Sequence, residues 1–385
     1  MRDAVICAAV RTPVGKRGGG LSGVHAVDLS AHVLSALAER SGIDPGAVED
    51  VFWGCVSQVG EQTFNIGRNA PLAAGWPESV PGTTIDRQCG SSQQAVAFAA
   101  ATVISGPADV VVAGGVESMS RVPMGAARGD GSAGKPLGPL FMERYDGVHP
   151  NQGIGAEMIA ERWGFSRTQL DEFSLASHEK AAKAQADGAF DEEIAPVTTP
   201  EGVVSADEGI RAGGTLEKLG SLKTPFKEDG VISAGNASQI SDGAAALLVT
   251  TSEKARELGL TPLVRIHTTV IAGDDPVIML TAPIPATQKV LARSGLSIHD
   301  IGIYEVNEAF APVPMAWLAD IGADPARLNP RGGAIALGHP LGGSGARIMT
   351  TLIHQMRHSG ARYGLQTMCE GGGMANATVL ELLDS

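Results

Sequence analysis

Short apolar runs alternate with alanine-rich segments along most of the chain. Ala4 to Val10 reads as a strand, Asp28 to Arg40 as a capped helix, and the stretch VEDVFWGCVSQ, Val48 to Gln58, holds a second strand. Ser92 to Ser105 has helical composition and is closed by Gly106 and Pro107, both stop signals. Asp109 to Ala113 is an unbroken apolar run of the buried-strand kind, ending in Gly114-Gly115. This alternation predicts an α/β sheet covered by helices on both faces.

The middle breaks the pattern. From Glu117 to about Gln239 charge and loop residues are denser, and GKPLGPLFMERYDGVHPNQG is a long irregular stretch. Helices are predicted within it near Ile154–Trp163 and Thr168–Asp187, so an insertion on top of the sheet layers is expected. After Pro262 the α/β pattern returns with an internal repeat. Cys89-Gly-Ser-Ser opens a helix that ends at Ser105-Gly106, followed by DVVVAGG; Gly342-Gly-Ser-Gly opens one that ends at Ser359-Gly360, followed by YGLQTMCEGGG. Gly106 and Gly360 lie 254 positions apart, too far for a solenoid, so half a molecule has been duplicated. The expected division is an N-terminal half, 1–116 with 241–262, an insert, 117–240, and a C-terminal half, 263–385.

Composition narrows the class. With 385 residues, 43% hydrophobic and 18% charged, the chain is long and apolar enough to fold as roughly two or three domains. Its 50 glycines fall in clusters, which fits tight turns and excludes collagen. A net charge of −13 argues against nucleic-acid binding, which is driven mainly by lysine and arginine. The four cysteines form no CxxC pair, so free thiols in a reducing compartment are expected. There is no signal-peptide core and no run long enough to span a membrane, and the final Leu-Leu-Asp-Ser is not a peroxisomal address. A cytoplasmic protein is expected.

Several residues could carry chemistry. Cys89, in TTIDRQCGSSQQA, precedes a helix whose free N–H groups and dipole would favour a thiolate; taken alone, an inert buried cysteine is the commoner case. Cys369 stands before three glycines, whose N–H groups could line an oxyanion hole or merely turn a hairpin. His339, between Gly338 and Pro340, is either a positioned base or a structural histidine. Asn307 and Glu308 follow a strand, where Asn307 either anchors an oxygen or caps the next helix. The glycine-rich run around His339 lacks the lysine of a phosphate loop and the Rossmann spacing. Cys89, His339 and Cys369, separated by 250 and 30 positions, match no zinc pattern, and no GxSxG supports a serine triad.

Taken together, RTPVGK, RQCGS around Cys89, GGVESMS at 114–120, SAGNASQISDGAAA at 233–246, NEAFA at 307–311, GGAIALGHPLGGSGARI and CEGGG resemble the thiolase family. The resemblance spans nearly the whole chain. It implies two similar halves, each a mixed five-stranded sheet, stacked as α-β-α-β-α layers with a loop domain inserted in the first, assembled as a homodimer or homotetramer. It implies Cys89 as the acylated nucleophile, His339 as its base and Cys369 as the acid/base acting on the acetyl methyl carbon. It places His339 and a water on Asn307 in one oxyanion hole, and the N–H groups of Cys89 and Gly371 in a second. The activity it implies is reversible Claisen condensation or thiolysis of acyl-CoA, most simply acetyl-CoA C-acetyltransfer. A degradative 3-ketoacyl-CoA thiolase for longer or bulkier chains is the alternative. A ketoacyl synthase would leave Cys369 without a role, and a non-catalytic acyl-CoA-binding relative would be expected to lose one cysteine. No tightly bound cofactor is expected, coenzyme A and acetyl-CoA being substrates, with no nucleic-acid or membrane partner.

An acidic chain that binds a phosphorylated ligand needs local cations within about a Debye length, ~8 Å. Arg211, Lys218, Lys223 and Lys227 form a basic interval with only Glu217 opposing before Glu228, though solvated lysines would look the same. Arg211 and Ser238 match family positions touching the nucleotide and pantetheine parts, and Lys218, Met279 and Phe310 complete the expected contacts. Asp86 and Ser92 stand where many members have Asn and Gly, so a changed pocket floor is expected. Asn151-Gln152-Gly153 replaces the His-Met-Gly of acetoacetyl-type members beside the acyl pocket, whereas Met279 matches a methionine of short-chain members.

Overall fold

The computed structural model describes residues 2–383; the last two residues of the Leu-Leu-Asp-Ser terminus, Asp384 and Ser385, lie outside them. The first half runs β1 (Val5–Arg11), β2 (Gly15–Lys16), α1 (Ala26–Ser41), β3 (Asp50–Gly54), α2 (Ile66–Ala73), β4 (Thr83–Ile85), α3 (Ser91–Ser105) and β5 (Val110–Ser118). Between β5 and the strand that completes this half lie α4 (Pro139–Arg144), α5 (Gln152–Trp163), α6 (Arg167–Ala186), the hairpin β6 (Val197–Thr199) and β7 (Gly202–Val204), and α7 (Leu216–Gly220). The first half then closes with β8 (Ser241–Thr250) and α8 (Ser252–Glu257). The second half contains β9 (Val264–Gly273), α9 (Pro283–Ser294), β10 (Ile303–Val306), α10 (Pro312–Ile321), α11 (Ala334–Leu337), α12 (Ser344–Ser359), β11 (Tyr363–Glu370) and β12 (Met374–Leu382).

The strand order shows the duplication. The first half reads β4-β3-β5-β8-β1 and the second β10-β11-β12-β9, with parallel pairs at the start of each and antiparallel pairs after. The halves join where β1 pairs with β9, Val5 opposite Arg265 and Ile6 opposite Val264, making one continuous sheet. Here the expectation of five strands in each half is corrected. Among the described residues the second half has four, and in the place of β4 only a single bridge, Tyr304 to Leu328, is formed. The chain turns away at once because Asn329 takes φ +41° and Pro330 follows. The Asn329 side chain substitutes for the missing strand, accepting from Val306 N–H at 2.9 Å and donating to Val306 C=O at 2.9 Å.

Helices α3 and α12 lie between the sheets, where Val96, Ala99 and Val103 meet Met349, Leu352 and Ile353 in one apolar core. Leu29, Val33, Leu34 and Ile66 of α1 and α2 cover one outer face, and Ala286, Val290 and Trp317 of α9 and α10 cover the other. The result is the expected α-β-α-β-α stack.

Two local readings change. Helix α1 starts at Ala26, capped by His25 Nδ1 accepting from Val27 N–H, so Asp28 lies in the first turn rather than at the cap. Strand β5 continues through Gly114-Gly115 to Ser118 instead of ending there. These glycines serve close approach: a Cβ on Gly115 would stand 2.2 Å from the carbonyl oxygen of Gly342, and one on Gly114 2.2 Å from that of Ala245. The glycine-rich loop before α12 can therefore lie directly on β5.

Candidate active site

The turn before α3 holds Cys89 in a strained frame. Gln88 adopts φ +48°, rare for a residue with a side chain, and is kept there by Asp86, whose Oδ1 accepts from Gln88 N–H at 2.7 Å. Ser91 Oγ accepts from Arg87 N–H at 2.9 Å and donates to Gln88 C=O. Cys89 keeps part of its surface exposed, and the N–H groups of Cys89 and Gly371 both favour a charge on its sulfur. The expectation of a helix-stabilised thiolate is nevertheless corrected. Burial first, and then the charge of Glu370, push the Cys89 thiol up to about 12. Desolvation outweighs the dipole, so the resting residue is a thiol, and any attack by its sulfur would require a base to take the proton.

His339 can be that base. Its ring is buried, and Nδ1 lies 2.6 Å from Ser344 Oγ. Ser344 Oγ gives its own proton to Pro340 C=O at 2.8 Å, so it accepts from Nδ1–H. The network thereby assigns the lone pair to Nε2, which is buried with no partner among the described residues. Burial, reinforced by Arg347, depresses the imidazole to about 3, keeping it neutral. Its loop is fixed from several sides. Ser241 Oγ accepts from His339 N–H at 3.1 Å, and Glu117 accepts from Gly342 N–H, Val56 N–H, Ser57 N–H and Gln62 Nε2. Ser92 Oγ accepts from Ala346 N–H at 2.9 Å, joining the N-termini of α3 and α12 at positions 254 apart, the period of the duplication. Ser92 is thus fully buried, its hydroxyl committed to the first turn of α12.

Cys369 lies near the end of β11 inside an apolar cluster with Met279, Phe310, Ile335 and Ile278. Burial and the proximity of Cys89 hold its thiol well above the ordinary range. Asn307 follows the last residue of β10, its N–H donating to Thr367 C=O on β11, two residues before Cys369. Its side chain is buried, and neither Oδ1 nor Nδ2 has a partner among the described residues. An amide left in that state is available to a substrate oxygen or a water. Glu308 points elsewhere: it accepts from Ser177 Oγ, Asn329 Nδ2 and Ile335 N–H, pinning α11 ahead of His339.

The expected ligand contacts separate into two groups. Ser238 is drawn to the centre, its N–H donating to Ala309 C=O, while Phe226 packs edge-on against Phe310. Met279 takes φ +64° and is buried in the cluster around Cys369. Arg211, Lys218, Lys223 and Lys227 are exposed on the insert. Lys227 is opposed by Glu161 of α5 at 3.4 Å, which the charge pattern along the chain did not reveal. Asn151 caps α5, accepting from Gly153 N–H and Ile154 N–H, and Gln152 reaches Met124.

Sequence reasoning missed Ser344, Glu117 and Glu370. Ser344 lies in the quoted GGSGAR run, but only its double hydrogen bond reveals a role, and Glu117 marks no more than a boundary in the sequence.

The sequence matches the thiolase N-terminal domain over residues 4–253 and the thiolase C-terminal domain over residues 260–382. It is 50% identical to the steroid 3-ketoacyl-CoA thiolase FadA6 of Mycobacterium tuberculosis, over all of this chain and 95% of that protein. It is 45% identical to a β-ketoadipyl-CoA thiolase of Escherichia coli, over 99% of this chain and all of that one. The crystal structure of the Bacillus anthracis acetyl-CoA acetyltransferase superposes with a TM-score of 0.91 at 40% identity, covering 100% of this chain and 99% of that one. The chain belongs to the thiolase family.

Proposed function

We propose that this CoA-dependent thiolase works in the degradative direction, cleaving 3-ketoacyl-CoA substrates longer or bulkier than acetoacetyl-CoA. The observation that carries this reading is the 50% identity, over the whole chain, to a thiolase named for steroid 3-ketoacyl-CoA. It displaces acetyl-CoA C-acetyltransfer, the simplest activity implied by the motifs, from first place. The loop before α5 is compatible with it: the Asn151 side chain is committed to capping the helix, accepting from Gly153 N–H and Ile154 N–H.

In this mechanism His339 Nε2 takes the Cys89 proton while the sulfur attacks the 3-keto carbon. The N–H groups of Cys89 and Gly371 receive the developing oxyanion. The bond between the second and third acyl carbons then breaks. The enolate oxygen of the departing acetyl-CoA is held by protonated His339 and a water on Asn307, and Cys369 protonates its carbon. A second coenzyme A, its thiol proton taken up by the Cys369 thiolate, then attacks acyl-Cys89; the Cys89 sulfur leaves and regains its proton from His339 as the shortened acyl-CoA is released. Residues 117–240 supply the coenzyme A surface, with Arg211 and Lys218 toward the nucleotide and Ser238, Met279 and Phe310 toward the pantetheine and acyl parts. No tightly bound cofactor is required, and the enzyme acts as a homodimer or homotetramer in the cytoplasm. No helix among the described residues is long and apolar enough to cross a membrane.

The test is thiolysis rate against acyl size, comparing acetoacetyl-CoA, 3-ketooctanoyl-CoA and a bulky branched 3-ketoacyl-CoA. Equal or faster cleavage of the larger substrates is expected. A steep preference for acetoacetyl-CoA would make Met279 the pocket's closure and return the acetyltransferase reading.

A further inference from the structure

Immediately after Cys369 stands a carboxyl group that the mechanism above does not use. Glu370 is completely buried at the end of β11, and neither of its oxygens accepts a hydrogen bond of good geometry among the described residues, the backbone N–H of Asn376 being the nearest donor to act on it. It lies against the nucleophile's turn: a Cβ placed on Gly90 would meet Glu370 Oε1 at 1.9 Å and Asn376 Nδ2 at 2.8 Å. Only glycine fits beside Cys89, because the carboxyl occupies the space a side chain would take. Gly90 is also the N-cap of α3, so the carboxyl sits at the helix end that would favour an anionic sulfur.

We propose that Glu370 is a positioning residue for the nucleophile: its carboxyl holds a second anion position at the N-terminus of α3, so that negative charge on Glu370 and a thiolate on Cys89 exclude one another. This rests on Cys89 being the acylated residue.

The surroundings support this assignment. From the 86–90 turn, Arg87 supplies the cation that acts on Glu370, and Asp86 is committed to Gln88. From β11 itself the titrating neighbour is Cys369, and from β12 the neighbours are the uncharged Met374, paired with Glu370, and Asn376, whose backbone N–H favours the carboxylate and whose Nδ2 donates to Gly90 C=O. Glu117, at the end of β5, acts on Cys89 but is held by four N–H donors. Burial lifts the Glu370 carboxyl to about 8 against the pull of Arg87, so at neutral pH it keeps its proton. The site then has one negative charge to form, on sulfur, as His339 removes the proton. Above that range Glu370 ionises first and makes the sulfur harder to ionise, two groups titrating as one system.

The experiment is alkylation of Cys89 by iodoacetamide as a function of pH, resolved by peptide mass spectrometry, in the wild-type protein and in Glu370→Gln. The variant keeps the shape of the side chain and removes its charge. Near neutral pH the two proteins should react within about twofold of each other, while at about pH 9.5 the variant should react roughly tenfold faster, the equivalent of one pKa unit. Rate profiles that superpose over the whole range would overturn the proposal. If Glu370→Gln does not fold, the wild-type curve decides: its logarithmic slope must fall above about pH 8, and an unbroken slope overturns the proposal. A Cys89 that never alkylates would sink the nucleophile assignment together with it, whereas identical alkylation in both proteins sinks the Glu370 proposal alone.

Discussion

At the start of α3 the chain presents a sulfur; at the start of α12, the equivalent helix of the second half, it presents an imidazole. Both helices are central, both end in a left-handed glycine, Gly106 at φ +95° and Gly360 at φ +70°, and each leads into a buried strand. The loops ahead of them differ. The turn before α3 is tight, with Gln88 in a strained conformation and Cys89 partly open to solvent. The loop before α12 is buried throughout and tied by Glu117, Ser241 and Ser92. Duplication supplied two equivalent helix ends, and in the mechanism proposed above the residues just ahead of each decide which serves as nucleophile and which as its base. The strand that follows α12 then contributes Cys369, whereas the strand after α3 contributes Glu117, an anchor. A shared backbone therefore does not divide the chemistry equally.

The strongest way to break this asymmetry is to remove each sulfur in turn. Cys89→Ala should lower thiolysis by at least about 10³-fold and abolish acyl-enzyme formation, because the proposed mechanism places the covalent intermediate on Cys89. Cys369→Ala should lower thiolysis by about 10²- to 10⁴-fold, yet still release coenzyme A from a simple acyl-CoA in a single-turnover burst. Equal loss of the burst in both variants would refute the division of labour between the sulfurs.

A smaller effect should follow from the base's support. Ser344→Ala removes the acceptor that fixes the His339 tautomer and should reduce kcat by about tenfold, the loss of one hydrogen bond of about 1.4 kcal/mol, with KM little changed. A change confined to KM would contradict that role. The smallest effect is expected where the two helix ends meet. Ser92→Ala leaves Ala346 N–H without its acceptor and should cost about 1 kcal/mol of stability by denaturant unfolding. Unchanged stability would show that the contact does not tie the halves together.

The motif residues mark how much of this was legible in the sequence. Cys89, His339, Asn307 and Cys369 stood out because each is set in glycine-rich or strand-end text, and the repeat of a Gly/Ser loop, helix and strand disclosed the duplication. Asn329 did not stand out: nothing in the sequence around it announces a side chain that replaces a strand. Nor did the pairing of Lys227 with Glu161, which are distant in sequence and adjacent only once the insert folds and brings α5 beside Lys227.

The charge states mark the clearest boundary between the two kinds of information. The sequence by itself determined which groups stand near helix ends and strand ends, since local patterns of glycine, apolar runs and stop signals set those. It pointed to a stabilised thiolate at Cys89, because a helix N-terminus is a local feature. Only the tertiary structure decided that the thiol stays protonated, that His339 stays neutral and that Glu370 keeps its proton. Those outcomes depend on how much water the assembled halves exclude and on which charges they bring together, and both are set by contacts between segments hundreds of residues apart.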